Sequence, residues 1–263
     1  LAANFTDCDL ITFWKRRNHL TDLVVDMIPP DFSYIQKILL PLFYTIQMSV
    51  TGTVLGIFFA LVLSPFGAAN LGFPAVIRRI LRIVIQILRS FPALILALTA
   101  TFLFGLGTFA GTFAITLYTF AIMTKLTYED ASAADVKAYQ ALRAMGVSKY
   151  VAYIHGILPE IIPGFLTNAL YLLETNVRHS SILGYVGAGG IGLLLNEKIS
   201  WLEYDKVGTI LLMLFLTVCV IEYFSRYLAA LIRKERTIKK EQARLLLLFL
   251  AALFLICTFT LSL

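Results

Sequence analysis

Glu174, Asn176 and Arg178 carry the chemistry that stands out most, because they fall within a stretch, residues 161–183, that reads as a membrane span. Glu174 and Arg178 are four apart, so on a helix they share one face. A charge at the centre of a bilayer costs about 2.5–3.5 kcal/mol on insertion scales, and such residues face a bundle interior or a water-filled path. Two readings stay open. The pair is a structural ion pair that pins helices together, or Arg178 lines an anion path, oriented by Glu174 and Asn176. Arginine suits planar, bidentate recognition of oxyanions. His179 reads as an interfacial polar residue rather than a ligand.

A second group is glycine-rich. Gly187, Gly189 and Gly192 satisfy G-x-G-x-x-G, with Gly190 between them. A dinucleotide site needs that pattern after a strand and before a helix in a βαβ unit. An apolar run precedes it here, so the segment reads as permissive backbone at the end of a membrane span. It is the candidate external gate. The sequence holds no H-E-x-x-H, G-x-S-x-G or P-loop pattern. Cys8, Cys219 and Cys257 are scattered, show no metal spacing, and are odd in number.

The elements that must position these residues follow from composition. The chain is 59% hydrophobic and 14% charged, where soluble domains carry about 25% charged residues. Leu39–Leu63, Val207–Ile221 and Leu245–Leu263 contain no charge, nor do the 34 residues of Phe91–Thr124. About 20 such residues make a membrane helix. Six spans are expected: Leu39–Leu63, Pro92–Phe104, Phe109–Thr124, Ile161–Leu183, Asp205–Leu231 and Leu245–Leu263. An amphipathic basic helix at residues 74–90 precedes the second. Three stretches between spans, at residues 78–89, 125–149 and 226–244, hold 15 of the 22 basic residues. With six crossings all three fall on one side, which the positive-inside rule makes the cytoplasm. A juxtamembrane basic run is explained by topology and anionic lipid, not by nucleic acid.

In the inner loop at 125–160, Gln140-Ala141-Leu142 is followed by Gly146 and then Leu158-Pro159. This resembles the coupling segment of ABC importer permeases, in which Glu-Ala-Ala precedes the glycine; only the central alanine is identical here. A short helix with a glycine turn suits a groove on a soluble partner. Tyr171 to Arg178, Ile182-Leu183-Gly184, Val186 to Gly192 and Asn196-Glu197 closely resemble the permeases of phosphonate-type ABC importers. Thr45-Ile46-Gln47-Met48, Gly52-Thr53, Arg89-Ser90-Phe91-Pro92, Gly105-Leu106-Gly107 and Lys125-Leu126 agree with that family. The likeness covers roughly residues 29–232.

The resemblance implies an all-α, polytopic protein of the bacterial cytoplasmic membrane, with five core spans plus one accessory span. It implies residues 1–37 as an external polar segment, a permease core at 38–232, and a basic tail with an extra span at 233–263. The early Pro29-Pro30-Asp31-Phe32-Ser33-Tyr34 and the late span suggest a permuted chain or a piece of a tandem permease. The implied partners are ABC ATPase subunits, an extracytoplasmic substrate-binding protein and a second permease, identical or different. Gln140, Ala141, Gly146, Leu158 and Pro159 would face the ATPase. ATP and magnesium would sit on that partner, leaving no cofactor or metal on this chain. The implied task is uptake of phosphonate or a related phosphorus oxyanion. The rivals are a permease for methionine or another small solute, and a membrane-embedded hydrolase such as a lipid phosphatase built on Glu174, Arg178 and His179.

Overall fold

The computed structural model describes residues 21–234, and all regular structure there is helical. The helices are α1 (Ile35–Gly67), α2 (Ala75–Ser90), α3 (Ala93–Phe104), α4 (Thr108–Ala133), α5 (Lys137–Ala144), α6 (Lys149–Gly156), α7 (Leu158–Leu183), α8 (Ile191–Ser200) and α9 (Tyr204–Lys234). A 3-10 turn at Phe32–Tyr34 leads into α1. Three helices, α1, α4 and α9, are long and apolar enough to cross a membrane alone. The number reaches five if each of two bent pairs counts as one span: α2 with α3 at 94°, and α6 with α7 at 69°. The sixth expected span, Leu245–Leu263, lies outside the described residues.

The bends have local causes. Pro92 disfavours helical backbone at the residue before it, and Phe91 is extended at φ −86°, ψ 126°. The expected second span is therefore only the 12 residues of α3, too short alone for a hydrocarbon core of about 30 Å. Pro159 stands in the first turn of α7, where a missing N–H costs nothing. The third helix of the expected spans runs nine residues past Thr124, to Ala133. Lys125 and Glu129, which read as loop residues in the sequence, are an i,i+4 ion pair at 3.4 Å on α4.

α1 packs along α4 through glycines. A Cβ on Gly52 would lie 2.7 Å from the Ile115 side chain and 2.9 Å from the Thr112 carbonyl oxygen. One on Gly56 would lie 2.6 Å from Thr119 Cβ and 2.8 Å from the Thr116 carbonyl oxygen. These glycines are four apart, and small residues so spaced let membrane helices approach closely. Valine at Gly56 has no flexible neighbour to displace. It is expected to destabilise the bundle by about 1–3 kcal/mol, the usual range for overpacking, measured as a lower unfolding midpoint in detergent. Unchanged stability would mean that α1 and α4 separate readily.

The glycine-rich segment was expected as an external loop. It is a packed hinge followed by a helix the sequence did not announce. α7 ends in a π turn at Gly184–Ala188, and Gly187, Gly189 and Gly190 all have positive φ. Gly184 and Gly192 abut: a Cβ on Gly184 would lie 2.8 Å from Gly192 Cα. Gly107 N–H donates to the Gly187 carbonyl at 3.1 Å, tying the hinge to the α3–α4 turn. α8 then packs near α1, and the chain turns at Leu202 (φ 59°) into α9.

That last corner is held by charge. Lys198, 8% exposed, pairs with Glu197 and Glu203 at 3.0 Å each, and Glu203 also pairs with Lys206 at 2.6 Å. Hydrogen bonds from Lys206 and Lys198 hold the Glu203 carboxyl below its ordinary value, while bonds to Glu203 and Glu197 push Lys198 up. A carboxylate with a lowered pKa adds stability above its unfolded value and loses it on acidification. The corner is thus expected to stay tight at neutral pH and to loosen below about the ordinary carboxylate value of 4.5. Hydrogen exchange at residues 198–206 should rise there in the native protein and rise less in Glu203→Gln, which lacks the carboxylate shared by Lys198 and Lys206.

Candidate functional site

Three places bring the candidate residues into position. The first is α5–α6. Tyr139 is buried, and its hydroxyl donates to the Leu71 carbonyl at 2.6 Å. Gly156 of α6 passes so close that a Cβ there would lie 2.8 Å from Tyr139 N. With Tyr139 inward, Gln140, Ala141, Ala144 and Met145 are exposed, and Met145 is 70% so. Gly146 makes the α5–α6 turn at φ +83°, with no atom within 4 Å of where a Cβ would stand. The turn closes through Gly146 N–H to Arg143 O at 3.1 Å, Val147 N–H to Leu142 O at 3.2 Å, and the Arg143 guanidinium to Val147 O. Ser148 caps α6 by accepting from Val151 N–H. Leu158 packs with Leu71, Tyr128, Tyr153 and Ile157 beneath this helix pair, while Pro159 is exposed at the bend. The arrangement presents a rigid knob with small residues and one thioether outward.

The second place is a polar seam inside the bundle. Asn176 is fully buried, and its amide donates to Thr53 Oγ1 at 2.8 Å and Thr119 Oγ1 at 2.7 Å. Its Oδ1 has no hydrogen-bond partner. Ser49 reaches Ser180 Oγ at 2.8 Å, and Thr45 Oγ1 accepts the Ile191 N–H at 2.8 Å. The seam thus runs from the middle of α1, α4 and α7 to the first turn of α8, just past the glycine hinge. The threonine and serine hydroxyls of α1 also donate to carbonyls four residues back, so each serves both its own helix and a neighbour.

The third place is the outer face of α7. Arg178 Nη2 donates to Glu174 Oε1 at 2.8 Å, with the arginine side chain 54% exposed and the glutamate 15% exposed. Asn176 was expected to orient Arg178. It points instead into the seam, because residues two apart on a helix lie on different faces. His179 stacks edge-on to Tyr118 with ring centroids 5.4 Å apart, and its Nδ1 has no hydrogen-bond partner. Glu174 also lines a groove between α7 and α9 with Asn168, Tyr171 and Arg226. Sequence reasoning missed the seam and Arg226. The signal for the seam was the i,i+4 run Thr45, Ser49 and Thr53 in a span. No group of three or more metal-ligating side chains occurs among the described residues.

Comparison with known proteins shows the family and the fold. Residues 52–238 match the family described as "binding-protein-dependent transport system inner membrane component". The chain is 32% identical over 217 residues to the phosphite transport system permease protein PtxC of Stutzerimonas stutzeri, covering 82% of this chain and 79% of that protein. It is 32% identical to the phosphate-import permease protein PhnE of Mycolicibacterium smegmatis, covering 77% and 38% of the two chains. Among solved structures, an inward-facing MetNI methionine ABC transporter aligns with a TM-score of 0.66 at 20% identity, covering 77% of this chain and 99% of that one. An amino acid ABC transporter aligns at 0.56 and 17% identity, covering 85% and 98%. At such identities the two structures speak to fold alone.

Proposed function

The chain belongs to the family of inner membrane components of binding-protein-dependent transport systems, and from that premise we propose that its cargo is a phosphorus oxyanion such as phosphonate, phosphite or phosphate. It is a membrane permease, and it does no covalent chemistry of its own. ATP hydrolysis, with its magnesium, falls to separate ATPase subunits. A second permease, identical or different, completes the pore, and a binding protein delivers the ion from outside the bacterial inner membrane.

The observation that carries the transport reading is the knob of α5–α6. Its exposed face of Gln140, Ala141, Ala144 and Met145 suits a groove on an ATPase. Its buried side is bolted to the α1–α2 turn by Tyr139. A push on the knob therefore reaches the spans through α6–α7 and through that turn. Gly187, Gly189, Gly190 and Gly192 make a hinge at the far end, where α7 and α8 meet the seam. The cargo reading rests on relatives named for phosphite and phosphate and on Arg178, exposed on a span face. The methionine rival has only fold likeness behind it. For the hydrolase rival, Glu174 pairs with Arg178 while His179 packs on Tyr118, so no acid–base pair is assembled.

The test is ATP hydrolysis by the complex of this chain with its ATPase and binding protein, with each anion added in turn. Stimulation by one phosphorus oxyanion supports the reading. Stimulation by an amino acid alone refutes the cargo, and phosphatase activity of the isolated chain refutes the class.

A further inference from the structure

α2 lies across the direction of α3, the two axes meeting at 94°, and its two faces differ sharply. At about 100° per residue, Arg78, Arg82 and Arg89 fall within about 40° of one another. The first two of these turn toward the protein. Arg78 donates to Ala69 O at 3.2 Å, and Arg82 donates to Gly67 O at 3.0 Å while lying over the Tyr128 ring at 5.1 Å. The opposite face is Val76, Ile77, Ile80, Ile83, Val84 and Ile87, each 45–68% exposed. Arg79, at the boundary between the faces, and Arg89, in the last turn, are exposed.

No acidic residue occurs between Asp31 and Glu129. No ion pair among the described residues includes an arginine of α2. Lys149, from α6, adds a further cation on the α1–α2 turn by donating to Gly72 O. The partner of this surface must therefore be anionic at one edge and apolar beyond it. A second copy of the chain would bring the same arginines and be repelled. A free oxyanion would leave the isoleucines and valines uncovered.

We propose that α2 is an interfacial helix that binds an anionic phospholipid of the inner leaflet. Arg79, at the edge of the apolar face, pairs with the phosphate, Arg89, about 15 Å further along the helix, adds to the positive field, and the acyl chains cover the face from Val76 to Ile87. Basic residues beside an apolar helix face are the usual recognition of acidic lipid. The site is independent of the cargo. Because the α1–α2 turn also holds Tyr139 and Lys149 of the coupling helices, the lipid abuts the route by which the ATPase stroke enters the bundle.

The test uses the full chain purified in mild detergent, with native mass spectrometry after adding phosphatidylglycerol or phosphatidylcholine. The expected result is retention of phosphatidylglycerol and not phosphatidylcholine. Affinity should fall about fivefold in Arg79→Gln and about twenty-five-fold when Arg89→Gln is added, at roughly fivefold per arginine near a membrane surface. Arg79→Lys should restore most of it. Equal retention of both lipids, variants that bind like the native chain, or displacement by millimolar inorganic phosphate would each overturn the proposal. The two-lipid comparison on the native chain decides it even where a variant fails to fold.

Discussion

Valine in place of Gly146 is expected to lower coupled transport by about five- to thirtyfold while leaving the helix bundle folded. Gly146 adopts φ +83° in open space, with no atom within 4 Å of the position a Cβ would take. The obstacle to a side chain is thus backbone conformation and not collision. Left-handed backbone costs an ordinary residue roughly 1–2 kcal/mol, and a β-branched residue fits it worst. A cost of that size shifts the turn's population by about five- to thirtyfold. The turn fixes the angle between α5 and α6, so losing it moves Gln140, Ala141 and Met145 off the ATPase. Asparagine tolerates the left-handed region, so Gly146→Asn should keep most of the uptake. The measurement is ATPase co-purification together with uptake for both variants. If valine and asparagine fail equally, the partner surface approaches Gly146 closely and the turn geometry is secondary.

Gly146 also shows which parts of the molecule are legible in a sequence. A glycine six residues past Gln140 marks a turn through local chemistry, and the uncharged runs of α1, α4 and α9 announce spans through composition. Local signals also reveal α2, because Arg78, Arg82 and Arg89 recur at helical spacing. Long-range pairings do not appear this way. Asn176 meets Thr53 and Thr119 across 123 and 57 residues, and nothing in the neighbourhood of Asn176 says that it faces inward while Arg178 faces out. α8 is hidden for another reason. It follows directly on Gly187, Gly189 and Gly190, whose composition favours a loop, yet those glycines are there to let the chain pass close to Leu106, Thr108 and Thr45. The extension of α4 past Thr124 is obscured by Lys125, Glu129 and Asp130, charged residues that a helix end accommodates as readily as a loop.

Glutamine in place of Arg178 is expected to lower oxyanion uptake by about ten- to hundredfold, with expression and ATPase binding unchanged. Hydrogen bonds to a charged group contribute about 1.5–3 kcal/mol, which sets that range. The physical ground is the cost of the position. A guanidinium 54% exposed on a membrane helix cannot rest against lipid cheaply, so the face of α7 that bears it meets water or a partner. Its one carboxylate contact among the described residues, Glu174, is itself only 15% exposed and holds a single oxygen against it at 2.8 Å, leaving further donors of Arg178 for an anion. A structural pair and a path residue respond differently to the same substitutions. If the pair is merely structural, Arg178→Gln and Glu174→Gln should cost alike, the double variant should cost no more than either, and exchanging the two residues should restore uptake. If Arg178 meets the cargo, Glu174→Gln should cost little, because it frees the guanidinium. The exchanged pair should then stay inactive, because the cation has moved one helical turn along the path. Uptake by the exchanged variant therefore separates the two readings that the spacing of these residues leaves open.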